Sequence, residues 1–132
     1  EVAAILERAA KHSHVHADID SFAMVDGSYT NMADIYLGDS SSQLLEYIAK
    51  PRPAVLLDSP NMSWRTPDQS DYWRCGDIIK NIAELPAALD SAIEHFGQYR
   101  ANQELLAFRA FGNTDGRAAQ RAAEVIVSRM VK

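Results

Sequence analysis

Residues 34–57 constrain the fold most, because strand, helix and strand patterns follow one another within one short span. Asp34 to Leu37 reads as a strand that halts at Gly38-Asp39, after which the leucines and Tyr47 fall at helical spacing over Ser42 to Ala49. Lys50-Pro51-Arg52-Pro53 stops that helix, since proline lacks the amide that a helix interior needs. Ala54-Val55-Leu56-Leu57 then forms a short, continuous apolar run, as a strand covered on both faces would. The span predicts a βαβ unit with a right-handed crossover and a parallel sheet.

The flanking pattern is consistent with an α/β chain of order αβ(α)βαβ(β)ααα. An opening helix carries Val2, Ile5, Leu6 and Ala9 on one face and ends near His12, and His14 to Ile19 suits a short strand. Gly27 marks a turn, with Ser28 or Thr30 as the cap of a single helical turn through Ala33. Asp58 to Asp71, rich in proline, asparagine and serine, predicts a loop, followed by an edge strand within Trp73 to Ile79. Pro86 suits the first turn of a helix bearing Leu89, Ile93 and Phe96. A further helix spans about Gln103 to Phe111 and stops at Gly112. Thr114 or Asp115 caps the last one, whose Ala119, Ala122, Ala123, Ile126 and Met130 form an apolar stripe.

At 132 residues the chain suits a single domain spanning 1–132, with one Rossmann-like three-layer core, a small parallel sheet and a helical C-terminus. Its 47% hydrophobic and 23% charged content are those of a globular protein in water. A net charge of -5 gives no electrostatic footprint for nucleic acid or an anionic membrane. The single cysteine, Cys75, excludes an internal disulfide framework and makes the cytoplasm the expected compartment. No apolar run reaches the roughly 20 residues that span a bilayer. A chain that opens on Glu1, already in helical pattern, is expected to be a piece of a longer protein.

The chemistry-bearing feature is Asp39-Ser40-Ser41-Ser42-Gln43, at the handover from strand to helix. In open parallel sheets, ligands bind outside the carboxyl ends of the strands. The first turn of a helix has unpartnered amides and about half a positive charge, which suits phosphate. Serine hydroxyls add adaptable donors, Gly38 removes bulk, and Asp39 is expected to orient the loop or accept from a sugar or base hydroxyl. The alternative is a plain cap, because serine is a favoured N-cap with or without a ligand.

Asp39-x-Ser41-Ser42-x-x-Leu45-Glu46-Tyr47, followed by Pro53-Ala54-Val55-Leu56-Leu57-Asp58, resembles the nucleotide-binding half of the CDP-glycerol glycerophosphotransferase family. Tyr72-Trp73-Arg74-Cys75-Gly76-Asp77 is similar to the Tyr...Arg-Gly segment of that family, and the resemblance spans roughly Asp34 to Ile93. The chain departs from the pattern at Gly38, at Ser40 and at Cys75. The resemblance implies one half of a GT-B fold that binds a CDP- or UDP-linked nucleotide-diphosphate donor without metal or other cofactor. Ser41 and Ser42 would hold donor phosphates, with Ser40, Gln43 and Arg74 beside them. Glu46, with Asp39, would face the ribose or transferred group. A glycan or polymer acceptor would bind through a missing N-terminal half, and the full protein would be cytoplasmic or peripheral at the inner membrane face. A UDP-sugar epimerase-like domain and a non-catalytic domain with a self-capped serine turn are the other readings.

Other residues offer weaker signals. His12, His14 and His16 alternate, with Asp18 and Asp20 continuing the face, but no later Cys or His cluster completes a metal site. Cys75 has no His-Asp arrangement in sequence and reads as a small buried residue. Trp64-Arg65 and Trp73-Arg74 flank the irregular loop; each pair can stack and clamp a ligand or pack the loop onto its own domain.

Overall fold

The computed structural model describes residues 2–58, 71–113 and 115–130. Cα proximity divides the chain into two compact units, Glu1–Met32 and Ala33–Lys132. The sheet lies wholly in the second unit.

In the first unit, helix α1 (Val2–Ala9) buries none of its residues, and Val2 and Ile5 stay exposed. The strand expected over His14 to Ile19 is absent, and side-chain chemistry explains why. Asp18 accepts from the Ser21 amide at 3.0 Å, the Asp20 amide at 3.3 Å, the Ser21 hydroxyl and the Tyr29 hydroxyl. Such local bonds give the backbone an alternative to a ladder. They also hold the Asp18 carboxyl well below its ordinary range, led by the Ser21 hydroxyl and then Tyr29. Helix α2 (Ser28–Met32) follows Gly27, whose φ of 80° suits glycine. The expected cap by Ser28 or Thr30 is replaced by Asp26, which accepts from the Ser28 amide at 2.8 Å, while Thr30 donates back to the Gly27 carbonyl.

The second unit is built on β1 (Tyr36–Gly38), β2 (Ala54–Leu57) and β3 (Asp77–Ile79), parallel and in that spatial order. The register pairs Tyr36 with Ala54, Leu37 with Val55, and Leu56 with Ile78. As the central strand, β2 is covered on both faces, and its alternation feeds two clusters. Ala54 and Leu56 join Leu44, Tyr47 and Ile48 of α3 (Ser42–Ile48) and Leu106 of α5 (Phe96–Phe111). Val55 and Ile79 face Ala88 and Ala92 of α4 (Leu85–Glu94) on the other side. The result is an α/β unit of three layers, compatible with a Rossmann-like arrangement.

Several boundaries differ from expectation. Tyr72–Arg74 is a 3-10 turn, so β3 begins only at Asp77. Pro86 does lie in the first turn of α4, but the buried face is Ala88 and Ala92 with Leu85 and Leu89 beside them. That stripe also has i, i+3, i+4, i+7 spacing; Ile93 is exposed and Phe96 opens α5 instead. Helix α5 thus starts earlier than expected and ends as expected at Gly112, whose amide donates to the Phe108 carbonyl at 2.8 Å. Helix α6 (Ala118–Met130) has no buried residue, so its apolar stripe is exposed. Asp115 accepts from the Arg117 amide ahead of α6; Thr114, Trp64 and Arg65 lie outside the described residues, as do residues 59–70 of the expected loop.

Candidate functional site

The two edges of the parallel sheet are chemically different. At the amino edge, Gln103 is fully buried and fully used: its amide nitrogen donates to the Arg52 carbonyl at 2.9 Å and the Cys75 carbonyl at 2.6 Å, and its oxygen accepts from the Arg52 amide at 3.0 Å. The Arg52 guanidinium lies 4.2 Å over the Tyr47 ring and donates to the carbonyls of Ala33, Tyr47 and Lys50. Tyr47 shares its hydroxyl between the carbonyls of Asp34 and Pro53, and burial pushes its phenol up to about 12. Every strong donor here is committed to backbone, so this edge acts as a weld. Neither Arg52 nor Gln103 stands out by motif, although a glutamine on the inward face of a helix is a readable cue.

Arg74 belongs to this amino edge, because it precedes β3, whereas the serine turn follows β1. In a parallel sheet those are opposite edges, so the structure does not bring Arg74 to the serines. Its side chain is 73% exposed and sits 3.8 Å from Asp71, which Arg109 holds at 2.8 Å. Trp73 packs against the core cluster of α3 and α5. Cys75 is buried, with the Asn102 side chain 3.3 Å from its sulfur, and burial pushes its thiol up to about 11. A thiol so raised is a poor nucleophile at neutral pH.

The carboxyl edge holds the remaining candidates. Asp39 accepts from the Ser41 amide at 3.1 Å, which fixes the turn. Ser41 is the N-cap of α3 by backbone conformation but makes no side-chain cap bond; burial raises the nearby Tyr36 phenol, and Ser41 partly offsets that shift. Ser40 is 3% exposed, and its hydroxyl has no hydrogen-bond partner among the described residues. The amides of Ser42 and Gln43 open the helix with no backbone acceptor among the described residues, as first-turn amides do. Glu46 is exposed one turn below Ser42 on α3, while Leu44, Tyr47 and Ile48 face inward. Gly38 serves a different need from the one expected: a Cβ there would meet the Tyr36 hydroxyl at 2.5 Å, so Tyr36 already fills the space left by glycine. From that position the Tyr36 hydroxyl donates to the Asp39 carbonyl at 3.1 Å.

Two further residues reach this edge. Asp58 directly follows β2, is buried, and donates its amide to the Ile79 carbonyl at 2.7 Å, so the ladder runs on to it. Lys80 directly follows β3 and is exposed. Ser40, Asp58 and Lys80 thus lie just past the carboxyl ends of β1, β2 and β3, on strands about 4.8 Å apart. The cue for both residues is a charged side chain placed immediately after an apolar strand. Among the described residues no three His, Cys, Asp or Glu side chains converge as a metal site would require, and His16 bonds to Tyr29 at 2.9 Å. No described helix is long and apolar enough to cross a membrane. No family model, curated protein or solved structure matches the chain.

Proposed function

We propose that the second unit binds a nucleotide-diphosphate donor at the carboxyl edge of its sheet. It would serve a transferase that moves a glycerophosphate, polyol-phosphate or sugar group to a glycan or polymer acceptor. The main support is the buried hydroxyl of Ser40, without a partner among the described residues, next to the first turn of α3, whose Ser42 and Gln43 amides have no backbone acceptor among them, in the place where open α/β sheets receive ligands. A buried hydroxyl without a partner is costly, and a phosphate oxygen is a strong acceptor for it. Lys80 supplies the cation that the sequence reading sought in Arg74. In that role these groups absorb negative charge on the departing nucleotide phosphate. Asp39, committed to the Ser41 amide, orients the turn, and Glu46 borders the donor one helical turn away.

A nuclear magnetic resonance titration with CDP, UDP and GDP tests this reading. Saturable shifts at Ser40, Ser42, Gln43 and Lys80 are expected, with about tenfold weaker binding in the Ser42→Ala, Lys80→Ala double variant. CDP preference supports the glycerophosphotransferase-like donor, and UDP preference moves the reading to a UDP-sugar enzyme. Absence of any shift at about 1 mM nucleotide would overturn it and leave the turn as a cap.

A further inference from the structure

The third strand carries a second recognition surface, independent of the nucleotide reading. Among the described residues, β3 has β2 on one side and no strand on the other. Because the Asp58 amide donates to the Ile79 carbonyl, Ile79 turns its backbone polar groups inward, and alternation turns those of Ile78 outward to the free edge. Alongside this edge runs a groove of about 390 Å³, bounded by Asp77 and Ile79 of the strand and by Glu84, Ala87, Ala88 and Ser91. Asp77 and Ile79 lie on the same face as α4, so side chains of an added strand would enter this groove.

Charge selects what can enter. Neither Asp77 nor Glu84 has an ion-pair partner among the described residues. One Asp77 oxygen accepts from the Tyr99 hydroxyl, and the other is buried without a partner. Glu84 accepts from the Asn81 amide at 2.9 Å through one oxygen only. The exposed Glu84 carboxylate borders the small, apolar floor of Ala87 and Ala88, and the half-buried Asp77 carboxylate adds negative potential without an ion-pair partner among the described residues. Edges that avoid pairing tend to carry lysine or proline; within β3 the outward residue is Ile78, 47% exposed, and Lys80 stands just past the strand's end. Pairing with a second copy through the same edge would bring two such acidic grooves together, so like charge disfavours it.

We propose that the free edge of β3 takes an extended segment as a fourth strand, selecting one with an aliphatic side chain and a lysine or arginine two residues away on the same face. Main-chain bonds to Ile78 give pairing, the aliphatic group covers Ala87 and Ala88, and the cation meets Glu84, with Asp77 adding negative potential from beneath. With so short an edge, the expected dissociation constant is on the order of 0.1 mM.

The test uses the 132-residue chain and a capped peptide, Thr-Lys-Thr-Val-Thr-Lys-Thr, followed by fluorescence anisotropy and by the Ile78 amide resonance. Two N-methylated peptides, modified on alternate residues, discriminate without altering the protein: one loses its edge-facing amides and is expected not to bind, and the other binds as the parent does. Glutamate for lysine in the peptide, or Asp77→Asn with Glu84→Gln in the protein, is expected to weaken binding about tenfold. Equal binding of both methylated peptides would mean simple charge attraction and overturn the proposal. So would failure of the parent peptide to bind at about 1 mM, or self-association of the chain through Ile78.

Discussion

Ser40 and Gln103 are both polar and both buried, and their bonding predicts opposite responses to truncation. Gln103→Leu strands the Arg52 amide and the carbonyls of Arg52 and Cys75 at the amino edge. Leaving buried groups unpaired costs about 1–3 kcal/mol each, so a loss of about 3 kcal/mol or more is expected in urea unfolding. Ser40→Ala removes a hydroxyl that has no partner to lose among the described residues. Its unfolding midpoint is expected to stay or rise, within about 1 kcal/mol, while CDP or UDP binding weakens. A stability loss at Ser40 without loss of nucleotide binding would mark the hydroxyl as structural.

Among the elements, β3 owes its place to a missing side chain. A Cβ on Gly76 would stand 2.1 Å from the Ala54 carbonyl oxygen, a backbone atom that cannot swing aside. Gly76→Ala is therefore expected to separate β3 from β2 and cost about 3 kcal/mol or more, seen as faster amide exchange at Leu56 and Asp58. From sequence the same glycine was read only as part of the Tyr...Arg-Gly segment, and close strand packing gives it a physical reason. Elements set by composition were legible: β2 from its unbroken apolar run, the end of α3 from its prolines, and the end of α5 from Gly112. Elements set by competition were not. Asp18 diverts the region expected as a strand into side-chain bonds, and α4 contains two overlapping stripes of which only the alanine-rich one meets the sheet.

Across the second unit as a whole, the sheet separates stability from candidate chemistry by edge. Topology set the serine turn at the carboxyl edge and was readable from the βαβ order, whereas Arg74 was misplaced because motif spacing does not say at which end of a strand a residue emerges. Asp58 and Lys80 were missed for the converse reason, since they gain meaning only when the strands are aligned side by side. The weld at the amino edge also sets a limit at high pH. Burial raises the Cys75 thiol from 9.0 to about 11, the Tyr47 phenol from 10.0 to about 12, and the Tyr99 phenol, which also donates to Asp77, to about 12. Each group is neutral when protonated and keeps its proton longer when folded than when unfolded. Their contribution is therefore complete below pH 9, and declines as the unfolded chain ionises first, between about pH 9 and 12. Unfolding followed by circular dichroism is expected to show the midpoint falling across that window. Tyr47→Phe removes one of these ionisations and its two carbonyl bonds together. That variant should be less stable at pH 8 yet lose less further stability between pH 10 and 12, and an unchanged slope there would assign the alkaline transition to other groups.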